Sequence, residues 1–515
     1  MSGPAIRWFV TGATALATAI FLTGCAVGPD FVHPAAPEII RYTRESLAAP
    51  ISSTNRASGA RQVFRQGRDI PEKWWALFRS PALNTLIEQS LRNNPNLQSA
   101  LATLRSTRET VLAQQGKFFP LVQANFNPTY QRTSAAIAPV PASNASVFTL
   151  DTAQLTVAYT FDIWGLNRRT VESLEALADV QRFQVEAAYL SLTANLVVAA
   201  VTEASLRGQI DAIVQIIAIN SKMRDTLRRQ LEAGYANRSD LAAQEAALAQ
   251  AEATLPPLRK ALAQEEDLIA ALAGAYSSQR PAPVFTLGEL RLPADLPVSL
   301  PSQLIEQRPD VRAAEEQLHS ASAQIGIATA NMLPSFTISA DAGFMNTALA
   351  HLLAPQNLFW DLGANAAQTI FDAGTLFHQL QGAKDTYRAA AWTYRGIVIA
   401  AVQNVADALR ALQNDADAVR AAQAFQRAAR TSFDLASQQM QTGNANVLLL
   451  LNAQQSYLQA VIQVVQARAA RLADTAALFQ ALGGGWWNRA EPPAEQVLDV
   501  GTGQTAPLTD KPGGF

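Results

Sequence analysis

The side chains able to hold a metal or attack a carbonyl are few and far apart in this chain. Its four histidines, His33, His319, His351 and His378, share no His-x-x-x-His or comparable ligand spacing. Cys25 is the single cysteine, which excludes an intrachain disulfide and a thiolate metal cluster. Neither a GxxxxGK[ST] phosphate loop nor a GxSxG nucleophile elbow occurs. Five dispersed methionines give no soft-metal route. The pattern points away from an enzyme and implies no metal and no cofactor. A net charge of −2 over 515 residues supplies no basic face for nucleic acid.

The one covalent chemistry the residues suggest is acylation. Arg7 forms a basic n-region, and Phe9 to Leu22 form an apolar stretch too short for a comfortable membrane span. This reads as a signal peptide over residues 1–24. It ends in Leu22-Thr23-Gly24-Cys25, which resembles the lipobox of bacterial lipoproteins. The resemblance implies that Cys25 becomes the first mature residue and carries acyl chains, with Ala26 favouring export to the outer membrane. Each buried CH₂ contributes about 0.8 kcal/mol, so several chains make a durable anchor.

The remaining chain repeats one pattern about 210 residues apart. Asn94-Pro95-Asn96 recurs as Arg308-Pro309-Asp310, and Phe119-Pro120 as Leu333-Pro334. Phe161-Asp162-Ile163-Trp164-Gly165 is answered by Phe371-Asp372-Ala373-Gly374, and Gly234-Tyr235-Ala236-Asn237 by Gly443-Asn444-Ala445-Asn446. Matches in one order at nearly one offset argue for two internal repeats. We expect an N-terminal anchor and equatorial segment at 25–82, repeat one at 83–275, a linker at 276–300, repeat two at 301–484 and a tail at 485–515.

Within repeat one, Leu83–Lys117 reads as one helix ending before Pro120. A long helix follows over Leu166–Ala233, stopped by Gly234, and a third over Ser239–Ala273, capped by Ser239 and interrupted at Pro256-Pro257. Repeat two reads Pro301–Met332, Thr375–Thr442 and Val447–Gly483. At 1.5 Å per residue each long helix spans about 100 Å, matched by the two shorter ones placed end to end. Such lengths imply a rod. No segment after the signal peptide has 18 consecutive apolar residues, so a membrane crossing must use strands.

Four segments alternate with period two. In Val122–Arg132 and Ala153–Asp162 the apolar sets include Phe126, Leu155 and Val157, set against Gln123 and Thr156. In Ser335–Phe344 and Leu358–Ala366 they include Ile338 and Leu362, set against Thr337 and Asn365. The phase slips near Gln368–Phe371, as a bulge would make it. Such alternation suits a membrane barrel or a half-buried soluble sheet equally. Four strands cannot close a barrel, and an open edge in lipid leaves backbone groups unsatisfied. A membrane sheet therefore requires oligomers, and three chains would supply twelve strands. Tyr159, Trp164, Phe359 and Trp360 lie where an aromatic girdle would sit or, equally, where core aromatics would.

These features together resemble the TolC-like outer-membrane efflux channels, in particular their NodT-type lipoprotein subgroup. The motifs that carry the resemblance are Cys25-Ala26-Val27-Gly28-Pro29-Asp30-Phe31, Trp74-Trp75-Ala76-Leu77-Phe78 with Pro81-Ala82-Leu83, Asn93-Asn94-Pro95-Asn96-Leu97, the paired Phe-Asp segments and Leu482-Gly483-Gly484-Gly485-Trp486. It implies a mainly α-helical protein with a membrane β-barrel part: a homotrimer with four strands per chain, a 12-strand barrel in outer-membrane lipid and a long α-helical periplasmic tunnel. The implied partners are a periplasmic adaptor and an inner-membrane resistance–nodulation–division transporter. A duct for type I protein secretion, sharing the fold, is the alternative; a coiled-coil lipoprotein without a channel is a third reading.

A passive duct works through the residues that narrow it. The turns at Gly234–Ser239 and Gly443–Val447 must lie at the far end from the strands. By resemblance this end is the periplasmic gate, with lumen-facing positions at Leu448 and Asn452, where relatives carry a bulky apolar residue and an acid. Asn452 removes the acid. Four consecutive leucines cannot share one helix face, so at most two of Leu448–Leu451 face the lumen. Arg238 and Asp240, in the first-repeat turn, are the charges placed to hold a neighbouring tip.

Overall fold

The computed structural model describes residues 26–45, 62–132, 147–278, 283–442 and 447–489. Cys25, the acidic tail after Arg489 and the turn 443–446 lie outside them. The elements are β1 Val63–Gln66, α1 Pro81–Asn93, α2 Pro95–Gln115, β2 Leu121–Arg132, β3 Val147–Thr160, α3 Leu166–Glu232, α4 Arg238–Ala253 and α5 Leu255–Leu272. They continue as β4 Asp295–Val298, α6 Pro301–Gln307, α7 Pro309–Ala330, β5 Ser335–Asn346, β6 Leu358–Ala367, α8 Thr375–Gln441 and α9 Val447–Ala481. One order, two helices, two strands, a 67-residue helix and its return, occurs twice.

Several sequence expectations need correction. The helix expected over Leu83–Lys117 is two helices broken at Asn94, and that over Pro301–Met332 is broken at Arg308. In both cases a proline follows and forces extended backbone, ψ 119° at Asn94 and ψ 121° at Arg308. Asn94 then caps what it interrupts, its Oδ1 accepting from Asn96 N and Leu97 N. The cap of α4 is Asn237, not Ser239; its Oδ1 accepts from Asp240 N at 2.8 Å. Pro256-Pro257 splits the return helix at Thr254. The expected equatorial segment and the inter-repeat linker hold β1 and β4, a parallel pair joining Val63–Gln66 to Asp295–Val298 that the sequence reading had not foreseen. No bulge appears at Gln368–Phe371; β6 ends at Ala367, and Gln368 Nε2 donates to Met332 O.

The chain divides into two compact units. The first comprises residues 1–34, 104–180 and 314–394. It contains the antiparallel sheet, in the order β2-β3-β5-β6. The second comprises 35–103, 181–313 and 395–515. Its core gathers Trp74, Trp75, Phe78, Phe183, Phe285 and Phe479, all buried, with Trp74 stacked on Phe479 at 5.3 Å. The Gly483-Gly484-Gly485 run is needed there because all three residues have positive φ. A Cβ on Gly483 would sit 2.3 Å from Gln307 O. A stretch of α3 is apolar enough by composition to span a bilayer, which the run-length reading did not register; most of it is buried within the protein, as a core helix requires.

Candidate functional sites

The sheet register sorts the side chains of the first unit onto two faces, since directly paired residues share a face. One face carries the rows Val122, Val157, Ala340, Leu362 and Ala124, Leu155, Ala342, Trp360, followed by Phe126, Ala153, Phe344, Leu358. The other carries Gln123, Thr156, Asp341, Asp361 and Thr160, Thr337, Asn365. Asp341 accepts from Gln154 Nε2 at 3.0 Å and from Thr156 Oγ1. All five residues expected on the apolar face fall on one face, and all four polar ones on the other. That apolar face is open: Leu362 is 70% exposed and Trp360 76%. The edge strands β2 and β6 pair on one side only.

Beside the strand ends, the segment following Cys25 is tied down. Val27 N donates to Trp164 O at 3.0 Å. The buried Arg169 guanidinium donates to Val27 O, Gly28 O, Asp30 Oδ1 and Glu172 Oε2. A Cβ on Gly165 would lie 2.6 Å from the Ala26 Cβ, and one on Gly28 2.4 Å from Gly326 Cα. Trp164 Nε1 donates to Pro334 O. Folding also joins two histidines that sequence spacing had left scattered. Phe31 stacks on His319 at 4.4 Å and meets His33 edge-on at 5.2 Å. His33 Nδ1 lies 2.7 Å from Glu315, and His319 bridges Glu172 and Glu316. Among the described residues, no group of three His, Cys, Asp or Glu is placed to hold a metal.

The paired Phe-Asp motifs turn out to cap the long helices. Asp162 accepts from Asn167 N and Arg168 N, and Asp372 from Gly374 N and Leu376 N, at 2.8–3.0 Å. The Leu376 hydrogen bond is the largest influence holding the Asp372 carboxyl below the usual range. A carboxylate there also meets the positive end of the helix dipole.

The described residues expected at the tip belong to the second unit. Gly234, at φ +77°, ends the first long helix, and Tyr235 N closes the turn on Gln230 O. Arg238 is exposed and Asp240 half-buried; neither side chain has an ion-pair partner among the described residues. The leucine run divides sharply. Leu448 is 63% exposed, Leu449 is exposed, and Leu450 is fully buried against Phe433, Ala436 and Ala453. Asn452 is exposed.

Sequence spacing gave no sign of a buried charged group between α8 and α9. Arg471, 1% exposed, donates Nε to Gln62 Oε1. Nearby, Asp415 hydrogen-bonds Asp474. Burial, with the hydrogen bond and charge of Asp474, pushes the Asp415 carboxyl up to about 7 despite the pull of Arg471. At the chain's described end the Arg489 guanidinium pairs with buried Glu186 and lies 4.2 Å from the centre of the Tyr189 ring. Burial raises the Glu186 carboxyl.

The same architecture is found in solved channels. The outer-membrane channel OprN superposes with a TM-score of 0.78 at 25% identity, over 90% of this chain and 100% of that one. The Campylobacter jejuni CmeC outer membrane channel superposes with a TM-score of 0.80 at 20% identity, over 90% and 95%. In sequence, the toluene efflux pump outer membrane protein TtgC of Pseudomonas putida is 27% identical over 474 residues, 92% of this chain and 95% of TtgC. Fold and relatives define an outer-membrane channel protein. The chain belongs to the outer membrane efflux protein family, whose sequence model matches residues 86–275 and 300–484.

Proposed function

We propose that three copies of this chain form one continuous efflux duct. The observation that carries the reading is the four-stranded sheet with an exposed apolar face and two open edges. In lipid each unpaired edge must find a partner strand. Pairing β2 of one copy with β6 of the next closes twelve strands around the Gln123, Thr156, Asp341 and Asp361 face, leaving Val157 and Leu362 toward lipid. The family model, matching twice at 86–275 and 300–484, supports repeats at 83–275 and 301–484, with 25–82, 276–300 and 485–515 outside them. The contacts of Val27 and Asp30 with Arg169 support a lipid anchor at the preceding Cys25. Signal-peptide removal over 1–24 and acylation of Cys25 are checked by mass spectrometry of the mature N-terminus; an unmodified Cys25 sinks the anchor.

The helix tip, with Leu448, Asn452, Arg238 and Asp240, is the gate. It opens when a periplasmic adaptor and a resistance–nodulation–division transporter dock. The toluene pump relative supports small apolar molecules as cargo. The purified protein should run as a heat-modifiable, SDS-resistant trimer and conduct ions in planar bilayers. A monomer without conductance overturns the duct.

A further inference from the structure

The second unit contains a cavity of about 1070 Å³, just above the roughly 300–1,000 Å³ typical of sites that hold a drug-sized ligand. Five arginines line it, Arg68, Arg79, Arg291, Arg468 and Arg471, against two acids, Asp69 and Asp295. Both acids are already engaged. Asp295 pairs with Arg65 and Arg68, and Asp69 accepts from Ile70 N, Trp487 Nε1 and Asn488 Nδ2. Arg79, Arg291 and Arg468 have no ion pair with any described residue.

Two of these groups sit at a cost. Arg468 Nε is buried and makes no hydrogen bond among the described residues, and burial alone pulls this guanidinium below its usual range. A buried donor left unpaired on a partly desolvated cation carries a cost, and a bound anion that accepts from it removes that cost. Arg79 adopts φ +54°, a left-handed backbone that non-glycine residues avoid, and thereby closes the Trp74–Phe78 turn at the cavity wall. Guanidinium forks match the paired oxygens of phosphates and carboxylates.

We propose that this cavity is a binding site for a multiply charged oxyanion, a molecule bearing several phosphate or carboxylate groups, held by Arg79, Arg291, Arg468 and Arg471. No residue of the tip or of the sheet lines the site, and it does not depend on the gating reading. A single phosphate would fill only a small part of the volume, so the ligand is a polyanion or an anionic headgroup.

The test is titration calorimetry on the full-length protein in a non-ionic detergent without phosphate. Sodium tripolyphosphate is the soluble probe, sulfate at equal ionic strength the control, and cardiolipin-doped against phosphatidylcholine-doped micelles the headgroup arm. We expect saturable binding of tripolyphosphate or of cardiolipin micelles, the stronger arm naming the source. Arg468→Gln and Arg291→Gln should each weaken it about tenfold, equivalent to about 1.4 kcal/mol. Exposed Arg291→Lys, which keeps the charge, should restore part of the affinity, and Lys222→Gln should change nothing. Two results overturn the site: neither probe binding better than sulfate, or both glutamine variants binding as wild type.

Discussion

Asn94 Nδ2 donates to the Leu272 carbonyl at 3.0 Å, and Arg308 Nη1 donates to the Ala481 carbonyl at 3.1 Å. Asn94 and Arg308 stand 214 residues apart, and their acceptors 209, the offsets at which the sequence motifs recur. Two different side chains thus tie the break before a proline to the end of the return helix. The glycine two residues after each acceptor tightens the match: a Cβ on Gly274 would lie 2.3 Å from Asn93 O, and one on Gly483 would lie 2.3 Å from Gln307 O. Backbone contact, not side-chain identity, is what the two halves have in common here.

That geometry predicts the cost of a methyl group. Gly274→Ala and Gly483→Ala each add a backbone clash to a positive φ and should destabilise by about 1–3 kcal/mol. Gly288→Ala, with open space around its Cβ, is the control and should be near neutral. Urea unfolding followed by circular dichroism reads the difference; equal midpoints for all three would refute the packing argument.

The two sheet faces should tolerate charge unequally. Val157→Arg places a guanidinium on the exposed apolar face and should cost about 2–4 kcal/mol near the bilayer midplane, while Thr156→Arg on the polar face costs far less. Folding yield into lipid vesicles measures this. Equal tolerance would mean that the sheet does not meet lipid.

At the tip, neighbouring leucines should behave oppositely. Leu448→Ala should raise single-channel conductance and vancomycin uptake, because its exposed side chain is free to reach a three-fold axis and exclude water. Leu450→Ala should instead destabilise by about 2–5 kcal/mol through the cavity left beside Phe433. Arg238→Ala and Asp240→Ala should give smaller conductance changes, since exposed pairs contribute about 0–1 kcal/mol. A cysteine at 448 should cross-link between chains more readily than one at 450. An unchanged conductance in Leu448→Ala would show that the constriction lies elsewhere.

The raised Asp415 carboxyl gives stability a pH dependence of known sign. A carboxyl raised in the folded state binds extra proton there, so its stabilisation is complete below the unfolded value of about 3.9 and is lost as pH rises through about 7. The melting temperature of wild type minus that of Asp415→Asn should therefore fall between pH 5 and 8. A difference that rises with pH would contradict the raised carboxyl.

Local and periodic properties were legible in the chain itself. The two 67-residue helices, the four alternating strands and the glycine at the first-repeat tip follow from residue spacing, because period 3.6, period 2 and a positive φ each leave a mark on neighbouring residues. The family resemblance likewise rested on contiguous motifs. Long-range partners left no such mark. Arg169 gripping Val27 and Asp30, Phe31 stacking on His319 and β1 pairing with β4 join residues more than a hundred positions apart. Whether Leu448 or Leu450 is exposed depended on what stands opposite the helix, and Phe433 settled it. The Arg468 cavity is of the same kind. Its five arginines come from four separate segments, and only the packing of those segments sets their charges around one space.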